Sequence, residues 1–237
     1  VGNRQLKKAE RVIAIDPGRT NLMFGVEQLS NGEVKSYRLT RGEYYTSAGM
    51  KTANRKAANW EADIDEAELT YRQTSLKTIQ EDTWDKFFTN YISVYTTLWD
   101  AKTAKKWGRE RFRVYCLKRR TLDTFFQTMN GKVKPVIAYG AAKFNPTSKN
   151  ELSAPTTYVS KRCAKHFPTL FVDEYNTTKV CHCCDERLCP VMKDAREVRG
   201  LRWCCSTKCR TFLNRDMNAA LNILRCFRSG TNRPYSL

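Results

Sequence analysis

The chain has no apolar run long enough to cross a bilayer, and no apolar stretch of the kind that forms a secretory leader. These residues therefore contain no helical membrane span, and the expectation is a protein that is not secreted and has no membrane partner. Acid is scarce as well. Only 24 Asp and Glu stand against 42 Lys and Arg, a formal net charge of +18. So large an excess points to a polyanionic partner, most often nucleic acid. Proline is missing from residues 55–130 and glycine is rare there. Such a stretch reads as helix rather than as strands and turns.

What is present is an ordinary globular composition, 41% hydrophobic and 28% charged, over 237 residues. That length allows one large domain with insertions and a sizeable core. The chain opens on Val1 and soon enters an apolar run, so it reads as an excerpt of a longer protein. Ten cysteines are also present, crowded at Cys181, Cys183 and Cys184 and again at Cys204, Cys205 and Cys209. Crowding of this kind suits metal ligation in a reducing compartment better than a disulfide framework.

Along the chain, RVIAID (11–16) reads as a buried strand broken by Pro17-Gly18. NLMFGVEQL resumes as a second strand, Asn31-Gly32 turns the chain, and EVKSYRLT is a third. Residues 55–130 read as two to four helices. Trp84, Phe87, Phe88, Tyr91, Ile92, Tyr95 and Leu98 share one helical face, which reads as core. Residues 61–85 are rich in acid and residues 102–120 in Lys and Arg. Trp107, Phe112 and Tyr115 interleave with those cations, a pattern able to track a phosphate backbone. PVIAYG (135–140) is a short strand, 145–155 a loop, TTYVSKRCAKHF a helix and TLFVDEY (169–175) a strand. The order implies a mixed α/β layered fold with inserts.

Three acids stand at element ends. Asp16 closes the first strand, where α/β sheets commonly place sites, although such an Asp also serves turns. Glu174 ends FVDEY, with Asp173 on the opposite face if the strand is regular. Asp216 opens the helix DMNAALNILRCF, with Asn214 as a candidate N-cap. Three carboxylates on separate elements can hold two divalent cations about 3.5–4 Å apart, and oxygen ligands select magnesium or manganese. In a very basic protein that chemistry would be phosphodiester hydrolysis.

The cysteines give a second site. Cys181-x2-Cys184 and Cys204-x4-Cys209 are separated by 19 residues, close to a zinc-ribbon layout. Four thiolates leave no open coordination position, so this zinc would be structural. Cys205 stands as the alternative to Cys204, with Cys183, Cys189 and His182 less suited.

Taken together, IDPGRTNLMFGV, EYNTTKVCHCC, the second cysteine group and NRDMNAALNI resemble the nuclease half of transposon-encoded TnpB proteins. The strand PVIAYGAAKF carries no acid where those proteins place their middle glutamate, and VDEYNTTKVC matches the branch in which that glutamate has moved. That branch is the eukaryotic and giant-virus Fanzor group. The resemblance implies an RNase H-like (RuvC) mixed sheet with a helical insertion and an inserted zinc ribbon. It divides the chain into RuvC part I (1–50), helical insertion (51–130), RuvC part II (131–178), zinc-finger insert for target nucleic acid (179–212) and RuvC part III (213–237). It implies Asp16, Glu174 and Asp216 as a triad for two magnesium ions, with manganese as substitute, and a guide (omega) RNA and target double-stranded DNA as partners. One protein chain per RNA is expected, in the nucleus of a eukaryotic host or otherwise in the cytoplasm. The competing readings are a cleavage-dead RNA-guided DNA-binding protein, a zinc-finger regulator without catalysis and a guide-free RuvC-type resolvase.

Overall fold

The computed structural model describes residues 9–77, 79–142, 154–230 and 237. Most of the loop expected over 145–155 lies outside them. The chain divides into two compact units, residues 1–43 with 122–237, and residues 44–121.

The first unit is built on a five-stranded sheet. Its strands are β1 (Val12–Asp16), β2 (Asn21–Gln28), β3 (Val34–Thr40), β4 (Val136–Gly140) and β5 (Thr169–Val172). The spatial order is β3-β2-β1-β4-β5. β1, β2 and β3 pair antiparallel, and β4 and β5 join parallel to β1. The β2–β3 turn closes at Gly32, whose φ of 86° suits glycine, with its N–H donating to the Leu29 carbonyl at 3.0 Å. β1 and β4 are apolar at every position but Asp16 and Gly140 because both faces of the sheet are covered. On one face Val12, Ala14, Val136 and Ala138 pack against Ala220, Ile223, Leu224 and Phe227 of helix α7 (Arg215–Ser229). On the other, Tyr139 lies near Cys163 of helix α6 (Thr156–His166), and Phe126 meets Phe167 edge to face. One charge is buried within β2. Glu27 accepts hydrogen bonds from Arg11 and from the Tyr37 hydroxyl, the latter at 2.7 Å, so its burial is compensated.

A second, three-stranded antiparallel sheet consists of β6 (Cys189–Lys193) and β7 (Arg196–Cys204), which occupy the span between the cysteine groups, and β8 (Thr211–Asn214), which follows the second group. Asp194 and Ala195, both at positive φ (48° and 59°), form the two-residue turn from β6 to β7. Trp203 and Phe212 pair across β7 and β8 with ring centroids 4.6 Å apart. β8 runs straight into α7.

Helices fill the rest: α1 (Arg41–Ser47), α2 (Met50–Ala62), α3 (Asp65–Arg72), α4 (Glu81–Thr103) and α5 (Lys105–Met129). The first begins earlier than the periodicity suggested, because Thr40 and Glu43 form a capping box. The Glu43 carboxylate accepts from Thr40 N–H at 2.8 Å, and the Thr40 hydroxyl oxygen accepts from Glu43 N–H at 3.1 Å. A second expectation is corrected. The aromatic face of α4 is not core: Phe87 alone is buried, against Tyr71, while Trp84, Phe88, Tyr91, Ile92 and Tyr95 are exposed. Spacing defines a face, but it does not say whether another element covers it.

Candidate functional site: an acidic cleft beside a cysteine cluster

Asp16 is the last residue of β1, where the strand must stop because Pro17 follows. Its residue is 7% exposed. Glu174 is not on a strand. β5 ends at Val172, and Asp173 caps the turn that follows by accepting from Tyr175 N–H at 3.1 Å. The expected alternation of Asp173 and Glu174 across a regular strand is therefore corrected to a turn. Leaving the strand lets Glu174 fold back toward β4, where its Oε1 accepts from Ala142 N–H at 3.0 Å. Asp216 lies in the first turn of α7. Asn214 is the N-cap, its side chain accepting from Asp216 N–H at 3.1 Å and Met217 N–H at 3.0 Å. Asn21, at the start of β2, donates to Asp216 Oδ2 at 2.6 Å.

Asp16, Glu174 and Asp216 line one cleft of about 720 Å³, together with Asn21, Arg199 and Arg215. Crowding and burial mark its electrostatics. Burial, then the charges of Glu174 and Asp216, push the Asp16 carboxyl well above the usual carboxylate range, and Arg215 opposes this. Burial pushes the Glu174 carboxyl up to about 7, against the pull of the Ala142 N–H bond. Acids that hinder one another's ionisation in a cleft are the environment a bound cation relieves, and an all-oxygen set fits a hard divalent ion.

Gly140 is part of this arrangement. A Cβ there would sit 1.8 Å from Glu174 Oε1 and 2.8 Å from Pro17 Cδ. The residue that leaves β4 without an acid is also the one that makes room for Glu174.

The cysteine cluster lies next along the chain. The Sγ atoms of Cys181, Cys184, Cys204 and Cys209 all lie within 4.8 Å of one another. A tetrahedral zinc with bonds of about 2.3 Å separates its sulfurs by about 3.8 Å, so this set fits the ion. Burial pushes the Cys204 thiol up to about 11 in the absence of a cation, a penalty that metal ligation removes. Cys205 is elsewhere, its sulfur 3.7 Å from that of Cys189, and both residues are exposed. His182 Nδ1 turns to Asn218 Oδ1 at 3.0 Å.

Asn218 and Asn222 were not singled out from the sequence, yet they tie the two sites together. Both side chains donate to the carbonyls of Thr177 and Val180 at 2.8–3.2 Å. The segment from Glu174 to Cys181 is thereby fixed to the helix whose first turn carries Asp216. Their signal was legible: two amides at i and i+4 on an otherwise apolar helix face, both buried.

Comparison with known proteins bears on the same region. Residues 154–223 match the family model for the TNB domain of Cas12f1-like proteins. Among solved structures, CasPhi-2 (Cas12j) bound to crRNA and phosphorothioate-DNA shares the fold at a TM-score of 0.54 and 11% identity, over 94% of this chain and 46% of that one. CasPhi-2 bound to crRNA aligns at a TM-score of 0.46 and 14% identity, over 94% of this chain and 48% of that one. The chain thus spans less than half the length of these structures. No curated protein matches it.

Proposed function

We propose that the chain is the nuclease portion of an RNA-guided DNA endonuclease of the Fanzor type, with an RNase H-like (RuvC) core. The observation that carries this reading is the convergence of Asp16, Glu174 and Asp216, from three distant elements, in one cleft of a strongly basic protein. The sheet order β3-β2-β1-β4-β5, antiparallel then parallel, supports the RNase H-like assignment. The TNB-domain match over the cysteine region supports placing the finger among nucleic-acid-binding inserts.

Magnesium or manganese ions bound in the cleft would supply an activated water and neutralise the leaving oxygen. The protein's own part is positioning. Asp16 is fixed by β1, Asp216 by its cap and by Asn21, and Glu174 by Ala142 N–H and the space over Gly140. Arg215 also lines the cleft, and its buried Nε has no hydrogen-bond partner among the described residues. It is suited to hold a phosphate oxygen of the strand. Cys181, Cys184, Cys204 and Cys209 would hold a structural zinc that closes the excursion between Glu174 and Asp216. Guide RNA would select the target by pairing, with protein cations holding the backbones.

The test is to isolate the full-length protein with its RNA, sequence that RNA, and offer DNA matching it. Magnesium-dependent cleavage of matched but not mismatched DNA is expected. Cleavage that ignores the RNA sequence would point to the guide-free resolvase instead.

A further inference from the structure

The helical unit is divided by charge. α2 and the part of α5 up to Thr121 carry eleven Lys and Arg against two Glu, whereas α3 and α4 carry three against seven carboxylates. Between the two basic helices lies a groove of about 340 Å³ lined by Trp60, Trp107, Val114 and Tyr115 and also by Arg111 and Lys118. Trp60 and Trp107 meet edge to face, centroids 5.0 Å apart. Lys106 sits 5.2 Å over the Trp60 ring and Arg119 5.5 Å over Tyr115. Arg111 and Lys118 have no hydrogen-bond or ion-pair partner among the described residues, and the same is true of Asn54 on the α2 wall. The one carboxylate lining the groove, Glu110, is held by Lys56 and Arg113.

We infer that this groove accepts an unpaired base of a single-stranded RNA, with Arg111 and Lys118 on the flanking phosphates. Three features select that ligand. Aromatic and apolar walls suit the faces of a base rather than a phosphate. Unpaired cations among the lining residues suit the phosphates flanking the base and repel a basic partner. A duplex keeps its bases stacked inside and cannot offer one to a groove. RNA is favoured over DNA because Asn54 offers an amide donor and acceptor to a ribose 2′-hydroxyl. The exposed aromatics of α4 do not compete for this role, since their helix is acidic and would repel phosphate.

The inference does not depend on the nuclease reading, and its test omits magnesium and manganese so that no cleavage enters. Fluorescence anisotropy would follow labelled 12-nucleotide oligo-A RNA, the same sequence as DNA, the RNA in a duplex, and an acidic poly-Glu peptide. A second RNA would carry 2-aminopurine, whose emission reports stacking. The single-stranded RNA should bind most tightly and its 2-aminopurine signal should change on binding. Tyr115→Ala should weaken RNA binding by at least about fivefold, while Tyr115→Phe should restore it. Arg111→Ala with Lys118→Ala should flatten the salt dependence of log K by about 1.4, as expected for two lost phosphate contacts. Ile92→Ser on the acidic α4 should bind as the parent does. Circular dichroism would establish that each variant is folded. Equal binding of DNA, duplex or peptide, a silent 2-aminopurine, or a folded Tyr115→Ala with unchanged affinity would overturn the inference.

Discussion

Replacing Gly140 by Ala should disable the cleft without unfolding the protein. The added Cβ would stand 1.8 Å from Glu174 Oε1, and such contacts are not found below 3.0 Å. The carboxylate must therefore retreat by more than 1 Å, and it loses the 3.0 Å bond from Ala142 N–H as it goes. It cannot be spared by a shift toward β1, because Pro17 Cδ lies 2.8 Å from the same Cβ. A misplacement of about 1 Å at a reacting centre costs on the order of 100-fold in rate, or ~2.7 kcal/mol of barrier. The fold should tolerate the change. Glu174 lies beside an open cleft into which it can rotate, the 2.8 Å approach to Pro17 Cδ needs a shift of only about 0.2 Å, and Ala in a strand is favoured over Gly by roughly 0.5–1 kcal/mol. The assay is single-turnover cleavage of guide-matched DNA, with thermal unfolding alongside. The expected result is about 100-fold slower cleavage with a melting temperature within a few degrees of the parent. In a Glu174→Gln background the same substitution should add less than about twofold, because both act on one carboxylate. A Gly140→Ala protein that cleaves within threefold of the parent would refute the reasoning.

Four further outcomes follow from the geometry. Divalent-ion affinity, measured by calorimetry, should rise with pH through about 7 as Glu174 ionises. The metal-free protein should show the reverse trend in stability. Its Glu174 keeps a proton that the unfolded chain loses near 4.5, so a contribution present below 4.5 is lost as pH rises through about 7; a metal-free stability that climbs across this window would contradict the burial argument. Elemental analysis of the purified protein should give one equivalent of zinc; Cys204→Ser should lose it, whereas Cys205→Ser should keep it, since only Cys204 lies within the sulfur cluster. Asn214→Ala should cost ~1 kcal/mol in denaturant unfolding, because two amides of the first turn of α7 lose their acceptor; no measurable cost would mean the cap is replaced by water.

The elements legible in the sequence were those whose signals are local. VIAID stops at Pro17 because proline must end it, Asn31-Gly32 turns because Gly32 adopts positive φ, and α7 starts after Asn214 because that side chain caps its first turn. The features that escaped depend on partners distant in sequence. The aromatic stripe of α4 has a helical period but only Phe87 finds enough cover. The spacer between the cysteine groups hides a hairpin whose turn uses Asp194 and Ala195 rather than glycine. At the site, the three acids were readable as element ends, but not that Glu174 leaves its strand. That turn is set by Asp173, by Thr177, whose hydroxyl donates to the Glu174 carbonyl at 3.0 Å, and by the void over Gly140. Asn21 was invisible as a partner of Asp216 because 195 residues separate them.

The most direct trial compares cleavage of guide-matched double-stranded DNA, in magnesium, by the RNA-bound full-length protein and by its Asp16→Asn, Glu174→Gln and Asp216→Asn variants. Each variant should keep its RNA and fall to the rate seen in EDTA. A variant of any of the three that still cuts at the parent rate would contradict the assignment of this cleft as the site of hydrolysis.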